Sequence, residues 1–450
     1  MDHACRRRWR RRPGTFAHTA VALAACALAS CATYTDRIAE VSHAASRGDY
    51  PAAVDQINRA LGVSSADQLP DSWGGDRPLA ALERGVLQQA MGSFEGSERD
   101  FSAADQELEL LDLGSSAVAD LGSYLYSDSA KTYRSPPSER LALNAINLLN
   151  YVAEGDLSGA AVEARRFQAM RDFLDSSDIS APAPATLGAY LAGFVFEHLG
   201  EGDRALRYYD EALVAGPLPS LDATIVRLAR YNPYRGARLS KVLAGSVAAP
   251  ESPSELLVVF CLGRVPHKVP KRIPIGAAIS LGGAFLTGDL DWLKYGATKF
   301  VVYPELVETP SSLGAAALQI DGAAVAMEPL TNFAAAIRSE YEEAKPKIIA
   351  AAVTRLATRA AIAEGVRAGG KQKSNALGDV LSILVESAMV AMDKPDTRSW
   401  TMLPDRVLVA RVPVAAGSHE VEVRLGASRR SFTVDAPQAG FAAVVVTEPR

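Results

Sequence analysis

Two cysteines near the start of the chain carry the clearest chemistry in this sequence. Leu28-Ala29-Ser30-Cys31 places small residues ahead of a thiol, the pattern in which the sulfur is first acylated and the peptide bond before it is then cut. Only a cysteine sulfur can carry a diacylglyceryl thioether, so the residue type is as informative as the spacing. Leu23-Ala24-Ala25-Cys26 fits the same pattern. Cys31 is preferred, because cleavage at Cys26 leaves an apolar stretch of only a few residues around His18. Six arginines, Arg6 to Arg8 and Arg10 to Arg12, stand ahead of both, followed by the Ala-rich run Thr19 to Ala29. A basic segment followed by a short apolar one is the form of a cleaved export signal, and the run falls short of the about 20 apolar residues of a membrane span. The expectation is a signal over residues 1–30 and a mature chain held to a membrane by acyl groups, palmitate among them, on Cys31. Several chains together make such an anchor stable. Alanine follows either cysteine, at Ala32 or Ala27, where retention in an inner membrane typically needs Asp. In a Gram-negative cell the expected place is therefore the outer membrane, with the folded body facing the periplasm.

Other chemistry is sparse. Beyond residue 30 only His43, His198, His267 and His419 remain, none at metal-ligand spacing from another His or Cys, so no metal is expected. No Gly-x-Ser-x-Gly elbow occurs and no catalytic residue is assigned. Carboxylate pairs such as Asp289 and Asp291 are expected by chance among so many acidic residues. Gly365-Val-Arg-Ala-Gly369-Gly370-Lys371 has the glycine and lysine spacing of a phosphate loop, but Gln372 stands where Ser or Thr would hold magnesium and a helical pattern precedes it. It reads as a turn between two helices, and no nucleotide or other cofactor is expected. Removing residues 1–30, with six Arg and one Asp, takes the formal charge from −5 to −10, which argues against nucleic acid as a partner. Cys261 is then the one cysteine besides the acylated residue; within the apolar run Leu256 to Leu262 it reads as a small buried hydrophobe.

Two polar clusters remain as contact residues for a partner or ligand. Arg264, His267 and Lys268, with Lys271 and Arg272, form a basic stretch after a strand, expected to be a solvated loop and open to an acidic partner or lipid headgroup. Trp400, bracketed by charge in Asp396-Thr-Arg398-Ser-Trp400, is expected to plug a pocket between a helical insertion and the strands around it. With His419, these residues would line any polar pocket of the C-terminal half.

The elements that must position them fall into two halves. From about residue 36 to 245 apolar residues recur at three and four spacing, with Gly-Asp breaks, which predicts helices. Between Gly188 and Pro217, the residues Gly193, Phe196, Ala205, Tyr209, Ala212 and Pro217 fall at tetratricopeptide spacing. Weaker copies lie at Gly48 to Leu61 and Asn144 to Phe167, and Gly85 to Leu111 has the rhythm without the signature. After Ala249-Pro250 short β-type runs begin: Leu256–Leu262, Lys299–Tyr303, Ala315–Ile320, Ala323–Met327, Arg406–Val412, Glu420–Leu425, Ser431–Val434 and Ala442–Thr447. Asp321-Gly322 signals a tight hairpin. A helical insertion is expected from about 331 to 392, with Pro346 opening its second helix. The predicted fold class is α+β: an all-α tetratricopeptide-like domain over 31–245, then a small β-sandwich-like domain over 251–450 carrying the insertion.

Cys31-Ala-Thr-Tyr-Thr-Asp-Arg37, the stretches Ser138–Tyr151 and Gly155–Arg166, the Gly263/Pro266/Lys268 loop, and Asp396–Val407 with Pro413, Gly417 and His419 together resemble a family of uncharacterised bacterial envelope lipoproteins with tetratricopeptide-like N-terminal halves. The likeness spans nearly the whole chain after residue 30. It implies a periplasm-facing anchored protein, of a kind set beside lipoproteins that activate peptidoglycan synthases, and it carries over no catalytic residue. The expected role is a non-enzymatic adaptor or scaffold for envelope proteins, bound through the helical face. The alternative is a ligand-binding or enzymatic C-terminal domain on a helical stalk.

Overall fold

A computed structural model describes residues 32–108, 133, 135–176, 181–245, 254–285, 300–371 and 395–450. The acylation candidates Cys31 and Cys26, the pair Asp289 and Asp291, and the expected boundary between the halves near residues 246–251 lie outside the described residues. The chain is a mixed α+β protein. Among the described residues no helix is long and apolar enough to cross a membrane.

The first half is helical: α1 (Tyr34–Arg37), α2 (Ala39–Ser46), α3 (Tyr50–Leu61), α4 (Arg77–Ala90), α5 (Phe94–Glu107), α6 (Pro137–Glu154), α7 (Leu157–Ser176), α8 (Pro182–His198), α9 (Gly202–Ala212), α10 (Pro219–Ala229) and α11 (Ala237–Leu243). The caps are local in origin. Asp49 accepts from the Ala52 N–H at the start of α3, and the helix ends on Gly62 at φ 76°, a backbone conformation that favours glycine. Neighbouring helices pack in sequence, and α6 also touches α8. Glycine facing an aromatic ring sets their closeness. A Cβ on Gly193 of α8 would stand 2.5 Å from the Tyr209 ring of α9, and one on Gly85 or Gly188 would collide with Phe101 or Phe167.

The second half opens with β1 (Ser254–Leu262), β2 (His267–Pro274), α12 (Ile275–Gly282), β3 (Phe300–Val307), β4 (Ala316–Ile320), β5 (Ala323–Val325), β6 (Glu328–Asn332) and α13 (Phe333–Lys371). It closes with β7 (Arg406–Val414), β8 (Gly417–Leu425), β9 (Ser428–Ala436) and β10 (Phe441–Glu448). One sheet has the order β10-β1-β7-β6, with β1 and β10 parallel, and a second has the order β5-β4-β8-β9. The hairpin at Asp321-Gly322 is present, both residues at positive φ, with Ile320 facing Ala323.

Alternation along β1 explains its unbroken apolar run. Leu256, Val258, Phe260 and Leu262 share a core with Leu318, Val421 and Val423 of the second sheet. Leu257, Val259 and Cys261 point the other way, into the large core of the helices. A strand buried on both faces has no polar side, and its sequence reads as continuous apolar. Residues from both halves therefore share one core.

Four sequence expectations are corrected. The basic stretch from His267 is a strand, not a solvated loop: β2 pairs antiparallel with β3 as a two-stranded ribbon, where Pro270 faces Pro304. Proline is tolerated there because such a ribbon is all edge. The residues Glu328–Asn332 form β6, so the helical insertion starts later, at Phe333. Pro346 does not open a second helix but lies inside the single helix α13. Losing one N–H is tolerated because Tyr341, Ile348, Ile349 and Val353 pack on both sides of it against the ribbon. The Gly365–Lys371 stretch is helical backbone within α13, not a turn, which removes the geometry of a phosphate loop.

Candidate functional site

The residues singled out for contact converge on the joint between the halves. An irregular segment, residues 395–405, crosses from the strands into the helices, and Thr397 to Leu403 are all buried. A buried segment without a strand partner must find acceptors for its N–H groups elsewhere. Two glutamates supply them. The Trp400 N–H donates to Glu139 Oε1 at 3.1 Å, while the N–H groups of Thr401 and Met402 donate to Glu83 Oε1 and Oε2 at 2.9 and 2.7 Å. The Thr401 hydroxyl adds a bond to Glu83 at 2.8 Å.

Glu83 sits mid-helix in α4 and Glu139 in the first turn of α6, so the segment is stitched to two helices at once. Burial pushes the Glu83 carboxyl up to about 7, against the pull of those donors. Burial also raises Glu139, which accepts from the Tyr133 hydroxyl. Glu340 of α13, bonded by the Ser138 hydroxyl, is pushed up to about 7 by burial. Lys268 lies near both Glu139 and Glu340, and its ammonium donates to the Arg398 carbonyl at 3.4 Å.

Arg398 is itself buried and clamps Asp396 through Nε and Nη2, at 2.8 and 2.6 Å. Burial works against the Asp396 charge, yet this fork holds its carboxyl below the usual range. Arg264, also buried, donates to Ser46 of α2 at 2.7 Å. Trp400 meets Phe101 of α5 edge-on at 5.7 Å, so it fills the joint with the helices and not a pocket beside the insertion. Among the described residues Ser399 Oγ and the Trp400 indole N–H have no hydrogen-bond partner.

Arg264, Lys268, Arg398 and Trp400 are thus brought together. His267 stands at the ribbon's base with Thr309 at 2.9 Å, its pKa lowered by burial. His419 lies apart, on β8 of the second sheet, against Asp321 at 2.7 Å, which raises its pKa. Buried Cys261 has its thiol pushed up to about 12 by burial. Among the described residues no group of three His, Cys, Asp or Glu is placed to hold a metal ion.

Sequence reasoning missed a second junction. Arg411 of β7 is buried on the helical side of the sheet and forks onto Glu255 of β1 at 2.5 and 2.7 Å. It also meets Glu197 of α8 at 2.8 Å and the Tyr209 hydroxyl of α9 at 3.0 Å. Burial opposes ionisation of Glu255, but Arg411 and His198 draw its pKa down to about 2. The signal was present as an arginine inside the apolar run of β7, which alternation turns toward the helices. A third junction joins Gln89 of α4 to Thr447 of β10 at 2.7 Å and to Asn150 of α6 at 2.8 Å.

No family model, no curated protein and no solved structure matches the chain.

Proposed function

We propose that this protein is a lipid-anchored adaptor of the bacterial envelope, acylated on Cys31, facing the periplasm from the outer membrane, and binding another envelope protein through its helical half. In this reading the helices are a degenerate tetratricopeptide-like array and the two facing sheets a sandwich-like support. The glycine and aromatic pairs between helices, Gly193 with Tyr209 above all, support the first part. The shared core between β1, β4 and β8 supports the second.

One observation carries the adaptor reading. Arg264, Lys268, Arg398 and Trp400, which would line a pocket, are engaged inside the joint, whereas the helical half turns apolar side chains outward. Tyr231 is 84% exposed beyond α10, and Leu199 is exposed beyond α8. Both lie at one end of the array, where Gly202 approaches Asn232 and the Tyr234 N–H donates to Asp203. Tyrosine is enriched in protein interfaces, where it combines a large apolar face with a polar tip. The alternative, a ligand-binding or enzymatic C-terminal half, draws on the Ser399 hydroxyl and Trp400 indole N–H, which have no hydrogen-bond partner among the described residues.

The test is crosslinking in intact cells from a photoreactive residue at position 231. A reproducible envelope partner, lost when Leu199 and Tyr231 are both changed to Ser, is expected; recovery of no reproducible partner defeats the adaptor. For the anchor, Cys31→Ala is expected to leave the chain unprocessed or released from the membrane. Unchanged acylation in that variant moves the lipid to Cys26.

A further inference from the structure

The ribbon β2–β3, with α12 and the adjoining part of α13, forms an arm that has its own core, separate from that of the main body. Its base is fastened to the beginning of the described chain. The Thr35 hydroxyl donates to the Lys268 carbonyl at 2.6 Å, and the Thr35 N–H meets Thr397 Oγ1 at 3.4 Å. From Lys268 to Pro274 the strand advances about 20 Å at the usual rise per residue. At its far end Pro274 faces Phe300, and α12 begins at the next residue.

Acidic residues enter this arm at Glu305, Glu342 and Glu343, but two of its stretches have none. From Lys271 to Phe285 the sequence holds Lys271 and Arg272 and no acidic residue. From Ala344 to Ala363 it holds Lys345, Lys347, Arg355 and Arg359, again with no acidic residue. Lys271 and Lys345 share Glu305, at 3.1 and 3.4 Å, while Arg272 and Lys347 are exposed. Beside these cations the arm shows bare apolar groups: Leu281 is 52%, Phe285 46% and Phe300 53% exposed. The Lys347 ammonium sits 5.6 Å from the Phe285 ring centroid, so charge and aromatic surface occupy one spot.

An apolar tip with interspersed cations has the composition of a segment that lies in a membrane interface, where apolar groups reach the acyl boundary and cations meet anionic headgroups. Eight residues of helix span only about 12 Å, too short to cross a bilayer. We propose that the arm tip, formed by Leu281, Phe285 and Phe300 with Arg272 and Lys347, is a second membrane contact that inserts at the headgroup level of an anionic bilayer. It rests on the acylation reading for the choice of bilayer. Cys31 precedes Thr35 by four residues, a reach of at most about 14 Å, so the same surface that receives the acyl chains lies within range of the arm. Anchor and arm together would fix the tilt of the body, where an anchor alone leaves it to swivel.

The experiment uses the chain from Ala32, which lacks both candidate cysteines and retains every residue of the three cores. Flotation with vesicles of phosphatidylcholine and phosphatidylglycerol is compared with phosphatidylcholine alone. The chain is expected to float with the anionic vesicles and to be released by salt. Changing Leu281, Phe285 and Phe300 together to Ser, or separately Arg272 and Lys347 to Glu, is expected to lower partition at least about tenfold. All five side chains are exposed, so circular dichroism should report an unchanged fold. No flotation of the unaltered chain overturns the proposal, and so does flotation that both variants retain. Neither result touches the acylation reading, which the mass of the processed N-terminus decides on its own.

Discussion

Glu83 sits at the centre of the joint, and its ionisation should make the whole protein less stable as pH rises through neutrality. In the folded chain its carboxyl titrates near 7, raised by burial, whereas an unfolded glutamate titrates near the ordinary value of about 4.3. Between those values the folded state holds a proton that the unfolded state has released. Stability therefore increases as pH falls from about 7.5 to 5.5 and declines as pH rises. For one such group the difference across that window is about 2 kcal/mol, since a tenfold change in proton affinity corresponds to about 1.4 kcal/mol. The informative variant is Glu83→Gln, which keeps one accepting oxygen for the 401–402 N–H groups and cannot ionise. Urea unfolding at pH 5.5 and 7.5, followed by circular dichroism, measures the effect. The variant should be weaker at pH 5.5, by about 1 to 3 kcal/mol for the acceptor it no longer supplies, and close to the unaltered chain at pH 7.5. Its pH-dependent difference should shrink by about 2 kcal/mol relative to the unaltered chain. Glu340, also raised to about 7, and the shifted His267 and His419 are common to both chains and cancel in the comparison. An unchanged pH-dependent difference in Glu83→Gln would refute the placement of this carboxylate.

Two further outcomes follow from the packing. Arg411→Met leaves Glu197 and Glu255 buried without their shared cation, and should lower unfolding free energy by about 3 to 5 kcal/mol; a loss under about 1 kcal/mol in urea titration would show that the fork is not intact in solution. Gly193→Ala would improve an exposed helix, but here the added methyl meets the Tyr209 ring at 2.5 Å. Overpacking of this kind costs about 1 to 3 kcal/mol, and a rise in melting temperature would mean that α8 and α9 lie farther apart than described.

Much of the fold was legible because it depends on local period and local turn chemistry. The β1 run from Leu256 to Leu262 and the Asp321-Gly322 hairpin each state their structure within a few residues. Where a residue's local preference was overruled, the deciding contact came from far along the chain. Pro346 lies inside α13 because the ribbon packs on both sides of it, and His267–Pro274 is a strand because Phe300–Val307 lies beside it.

The site followed the same division. The sequence alone determined the small-residue and cysteine spacing on which the proposed acylation rests, the scarcity of catalytic or metal-ligand spacings, and the residue types Arg264, Lys268, Arg398 and Trp400 that had to be explained. Only the tertiary structure decided that Lys268 reaches Arg398 and that Arg264 and Trp400 pack into the same joint while His419 lies apart, and that glutamates on α4 and α6 receive the backbone of the 395–405 segment. The physical reason is burial. A charged side chain is written the same way in a sequence whether it faces water or a carboxylate, and only packing between distant elements removes the water and makes the partner necessary.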